Sequence, residues 1–118
     1  MDLSKTNSKH VYFENKDYLN KVLSQVQRDF NMSGIDFEDP INIPQDYDAL
    51  FTVVFEPIAN LVRSSDIQLK NLLYRIDIPE TSIQKRLSSE VNNDLENVIT
   101  TLVIERCLLK VLTREKYS

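Results

Sequence analysis

Two adjacent opposite charges, Glu105 and Arg106, stand inside the apolar stretch that runs from Leu95 to Leu112. On a helical projection Glu105 falls between Val98 and Leu112, and Arg106 between Leu95 and Ile99, so both point toward packed surface. An unpaired buried charge is too costly to keep, so counter-charges are expected from other segments. Arg75 and Glu56 are the candidates, which gives an expected buried ion-pair network of Glu105, Arg106, Arg75 and Glu56. Such a network reads either as structural or as a polar site for a small ligand or an enzyme.

The remaining inventory offers little reactive chemistry. His10 is the only histidine, which removes His-based zinc sites and Ser-His-Asp or Cys-His arrangements within one chain. Cys107 is the only cysteine; it lies in an apolar helical run and reads as a buried small hydrophobe. The acidic stretch Asp36, Glu38, Asp39, Asp46 and Asp48 lacks the spacing and turn glycine of a calcium loop, and Pro40 and Pro44 interrupt it. No Gly-rich phosphate loop occurs. The expectation is a non-enzyme with no cofactor and no metal.

Net charge is −4, and its distribution is uneven. Residues 34–60 carry six acidic groups and no basic one, while the segments on either side each carry one more basic than acidic group. The central segment repels nucleic acid and anionic lipid and suits a basic partner.

The run Leu72 to Leu87 resembles a helix-turn-helix. Apolar residues at 72, 76, 78, 83 and 87 match the packing positions of two helices joined by a tight turn. The resemblance implies DNA contacts from Thr81, Ser82, Gln84 and Lys85, with Arg86 also on that helix. The sequence departs from the pattern in having Asp77 at the turn position and bulky Leu73 at the close-contact position. An acidic chain also lacks the phosphate-neutralising excess on which DNA affinity rests. Separately, Leu72-Leu-Tyr-Arg-Ile-Asp-Ile and Ile104-Glu-Arg are similar to segments of small, uncharacterised helical bacterial proteins. That resemblance implies a cytosolic all-α fold and brings no activity with it.

The elements that must position these residues are helical. With one glycine in 118 residues, an all-β fold built on tight turns is not expected. A polar segment, 1–14, precedes a single helical domain over 15–118, with one apolar patch at Val11, Tyr12 and Phe13 that can pack back on it. Apolar spacing predicts a compact bundle of about five helices: 16–32, 46–64 kinked at Pro57, 66–76, 79–90 and 94–115. Gly34 suits the position just past the first helix, Ser65 or Asp66 the cap of the third, and Asn93 the cap of the last. Between the first two helices, 35–45 reads as an extended loop with Ile35, Phe37, Ile41 and Ile43 tucked onto the core.

The last helix is apolar nearly all round from 102 to 112, so it must be central or shared with another chain. Ile104, Leu108 and Val111 are the expected interface if a homodimer forms through it. The N-terminal residues contain no apolar core of a signal peptide, and Leu50 to Val62 is shorter than the ~20 residues a membrane span needs. The overall expectation is a cytoplasmic protein-interaction or structural module, with self-association or a protein partner. DNA regulation and a Glu105/Arg106 ligand site are the alternatives.

Overall fold

A computed structural model describes residues 8–89 and 94–117, with side chains from residue 11 onward. The described residues form an all-α globule of six helices: α1 Ser8–Phe13, α2 Lys16–Met32, α3 Tyr47–Ser64, α4 Asp66–Ile76, α5 Glu80–Ser89 and α6 Leu95–Tyr117. The five expected helices appear within a residue or two of their expected ends, save where the boundary falls on 90–93, outside the described residues. The expected cap Asn93 and the turn at 91–93 also lie outside them.

Local chemistry explains where the helices start and stop. Asn15 and Asp46 accept the N–H groups of Asp17 and Ala49, each at 2.8 Å, and so cap α2 and α3. Asp94 does the same for Asn97 at the start of α6, at 2.9 Å. Ser65 serves two helices. Its N–H closes α3 onto the Leu61 carbonyl at 2.9 Å, and its hydroxyl accepts the Gln68 N–H at the start of α4. Gly34, at φ 79°, lets the Ile35 N–H reach the Phe30 carbonyl and the Gly34 N–H reach Asn31. This paired closure satisfies carbonyls that the end of α2 leaves open. Pro57 lies within α3, which continues past it although the Val53 carbonyl loses its helical donor.

Helix α6 is the hub. It packs against α2, α3, α4 and α5. Val98, Ile99, Leu102, Val103, Ile104, Cys107, Leu108 and Val111 are all buried on it. They meet Leu19, Val22, Val26 and Phe30 of α2 and Leu50, Val54 and Ile58 of α3 in one core. The apolar girth of α6 is therefore consumed by four neighbours within the chain.

Two expectations about the connecting segments change. The polar start contains a helix, α1, whose Phe13 is buried and lies 5.1 Å from the ring of Tyr47; residues 1–7 lie outside the described set. In the 35–45 loop, Ile35 is buried and Phe37 packs edge-on against Phe30 at 5.0 Å. Ile41 and Ile43, however, face solvent, Ile41 completely. The loop is held by Phe37, by the Gln27–Asp39 hydrogen bond at 2.7 Å and by buried Pro44. Prolines at both ends deny the stretch between them a ladder partner, and it stands off the core.

Candidate functional site

Polar or exposed apolar side chains gather at several places among the described residues. The first is the expected Glu105/Arg106 network. Glu105 is buried as expected, but its partner is Arg86 of α5, at 3.2 Å. Arg106 turns the other way. Its Nη2 meets Asp77 at 3.2 Å and its Nε lies 3.4 Å from the Ile76 carbonyl, so it caps the C-terminal end of α4. Arg75 and Glu56 are exposed on the outer faces of α4 and α3 and do not join either pair. The adjacent charges thus pin two different neighbours to α6. The Tyr47 hydroxyl lies on the Glu105 side, bonded to Thr101; burial first, and then the Glu105 charge, push it above the usual phenol range.

The second place was not foreseen from sequence. Asp29 of α2 is only 4% exposed. Its Oδ2 accepts from Lys110 Nζ at 3.0 Å, Gln25 Nε2 at 3.2 Å and Cys107 Sγ at 3.7 Å. Gln25 in turn accepts from Arg114. Above this buried knot the α2–α6 seam opens into a cavity of about 610 Å³ lined by Gln25, Arg28, Arg106, Leu109, Lys110, Thr113 and Arg114. A second cavity of about 360 Å³ shares Gln25, Arg28 and Arg114 and runs on to Lys21 and Glu115. Glu115 accepts from Lys21 at 2.6 Å and from the Tyr18 hydroxyl at 2.9 Å, and both bonds hold its carboxyl below the usual range. The sign of that shift makes this exposed pairing a contribution present near neutral pH and lost as pH falls through the folded value. The signal in the sequence was there: Arg106, Lys110 and Arg114 recur every four residues, on one face of α6.

Burial pushes the Cys107 thiol far up, with the Asp29 charge adding to it, so the sulfur stays protonated and donates. Cys107 should therefore resist thiol reagents at pH 8 in the native protein and react rapidly once urea unfolds it. A native rate equal to the unfolded one, followed with a chromogenic disulfide, would contradict this. Among the described residues no group of three or more His, Cys, Asp or Glu is placed to hold a metal ion.

The third place is apolar. A groove of about 450 Å³ runs between α4 and α5 over the start of α6. Leu69, Leu73, Ile78, Ile83, Leu87, Leu95 and Ile99 form its walls and floor, with Lys70, Tyr74, Glu80 and Gln84 at its edges. Tyr74 is 88% exposed, and Ile67 stands exposed two turns earlier on the same face of α4. The expected DNA-contacting residues sit on α5 beside this groove: Thr81, Gln84 and Lys85 are exposed and Ser82 is half-buried. Asp77 occupies the turn in the left-handed conformation, φ 69°, which asparagine and aspartate tolerate. The α4–α5 pair thus makes the tight turn without glycine. Leu73 escapes the expected crowding because it lines the groove.

Ile104, Leu108 and Val111, the expected interface, are buried in the core of the chain. They present almost no surface to a second chain, since the core they share with α2 and α3 leaves them almost no exposure.

Fold and sites together define an all-α bundle built around a C-terminal hub helix, with a basic seam on one side and an apolar groove on another. In comparisons with known proteins, no family model, no curated protein and no solved structure matches the chain. Among the described residues no helix is long and apolar enough to cross a membrane.

Proposed function

We propose that the chain is a non-enzymatic interaction module that pairs with a second copy of itself through the α4–α5 face. The observation that carries this reading is the adjacency of a convex apolar ridge, Ile67 and Tyr74, and a concave apolar groove on one patch. A two-fold interface requires one patch to supply both halves. Tyr74 of each copy then enters the groove of the other, against Leu73, Leu87 and Leu95. Charge is compatible with the same occupant: Lys70 edges the groove from α4 and Glu80 from α5, so a two-fold axis passing between them would set each beside its opposite. A large aromatic anchor in an apolar pocket is also the usual centre of binding energy in an interface. The lone buried thiol is compatible with a reducing, cytoplasmic setting.

Sedimentation velocity tests the pairing. The wild-type chain should move as a dimer at tens of micromolar. Tyr74→Glu, an exposed change that leaves the core intact, should weaken self-association by about a hundredfold or more, in line with the loss of a hot-spot aromatic. Its circular dichroism and melting should be unchanged. A wild-type chain that stays monomeric at several hundred micromolar would overturn the reading.

A further inference from the structure

The α2–α6 seam collects more positive charge than its own structure uses. Arg28, Arg106, Lys110 and Arg114 all border one open cavity, in a chain whose net charge is −4. Only Lys110 is matched by a buried carboxylate, Asp29. Arg106 meets Asp77, a largely exposed carboxylate at the edge of α4. Arg114 is held by the neutral amide oxygen of Gln25, which aims the guanidinium and leaves its charge intact. Among the described residues Arg28 has no hydrogen-bond or ion-pair partner. Four cations around one cavity repel each other, and the one carboxylate of the adjoining cavity, Glu115, is engaged by Lys21 and the Tyr18 hydroxyl.

We propose that this seam is a binding site for a small phosphate-bearing anion, of the pyrophosphate or phosphate-monoester class. A multiply charged phosphate accepts paired N–H groups from guanidinium forks, which suits Arg28 and Arg114 at the junction of the two cavities. Lys110 adds a point charge and the Thr113 hydroxyl a neutral donor. The cavity, about 610 Å³, is within the size range of small-molecule sites. Leu109 gives the organic part of such a ligand an apolar wall. The Asp29 knot beneath fixes part of the rim: by tying Lys110 to Asp29, and Arg114 to Gln25, it sets these two α6 cations against α2 before any ligand arrives. This site lies on a different face from the proposed dimer contact and stands or falls independently of it.

The test uses the full chain and sodium pyrophosphate, with sodium chloride at matched ionic strength as reference. Pyrophosphate should raise the melting temperature beyond the chloride control. It should also move amide resonances at Gln25, Arg28, Lys110 and Arg114. Arg28→Ala removes an exposed cation with no hydrogen-bond or ion-pair partner among the described residues, so the fold should be retained; it should weaken binding about tenfold, and Arg28→Ala with Arg114→Gln should abolish it. Lys85→Ala on α5 should leave binding unchanged. Three results would overturn the proposal: no perturbation beyond chloride up to about 10 mM pyrophosphate, perturbation confined to other faces, or undiminished binding in the double variant. Tight binding of a DNA duplex that pyrophosphate fails to displace would overturn it too, and would assign the seam to a nucleic-acid backbone.

Discussion

Replacing Lys110 with Met should destabilise the protein by about 3 kcal/mol, because it leaves Asp29 as a buried carboxylate without its cation. Asp29 is almost fully enclosed between α2 and α6, and Lys110 supplies its closest donor. The remaining donors, the Gln25 amide and the Cys107 thiol, are neutral, and the thiol bond is long. Breaking one side of such a pair costs more than the pair contributes, since the survivor keeps its desolvation penalty. Asp29→Leu combined with Lys110→Met should then restore stability to within about 1 kcal/mol of the wild type, as apolar replacements of buried pairs often do. Urea unfolding of the two singles and the double closes this cycle. A Lys110→Met variant indistinguishable from wild type would mean that Asp29 is less enclosed than the structure places it. It would also remove the fixed rim on which the phosphate site relies.

Leu108→Ala should cost about 3–4 kcal/mol and leave the oligomeric state untouched. Leu108 is fully buried on the hub helix, in a core shared with α2 and α3. Truncation removes transfer free energy and leaves a cavity that rigid neighbours on several sides cannot close. The same substitution at an intermolecular contact would instead dissociate a dimer while sparing the monomer's stability. Urea unfolding and sedimentation on one preparation separate the two outcomes. Loss of the dimer without loss of monomer stability would return Leu108, with Ile104 and Val111, to the interface role that the apolar girth of α6 suggested.

Why that girth misled is a matter of counting neighbours. Periodicity shows that a helix is buried on most sides; it does not show which chain buries it. Local signals fared better because their causes are local. The Gly34 closure and the Ser65 cap depend on residues within one turn and were legible in the sequence. Apolar spacing likewise carried the five long helices. The six-residue α1 has too few positions to show a period, and Phe13 is buried only through contacts with a distant segment. The partner of Glu105 was also tertiary: which turn of α5 faces α6 decides for Arg86 over Arg75, and no spacing rule encodes it. Asp29 was the most concealed. It continues the phase of Val22 and Val26 on α2, but a carboxylate near a helix end reads as solvent-facing until the Lys110 side chain is brought across from α6. The basic stripe on α6 was overshadowed by the apolar residues interleaved with it, Cys107, Leu108 and Val111.

The central claim, pairing through the α4–α5 face, is tested most directly by isotope-filtered nuclear Overhauser spectra. One half of the sample carries labelled leucine methyls and the other half is unlabelled. The two-fold arrangement predicts intermolecular cross-peaks from the Tyr74 ring to methyls of Leu73, Leu87 and Leu95, all lost in Tyr74→Glu. A dimer whose intermolecular peaks fall on other residues, or a sample with none at millimolar concentration, would contradict it.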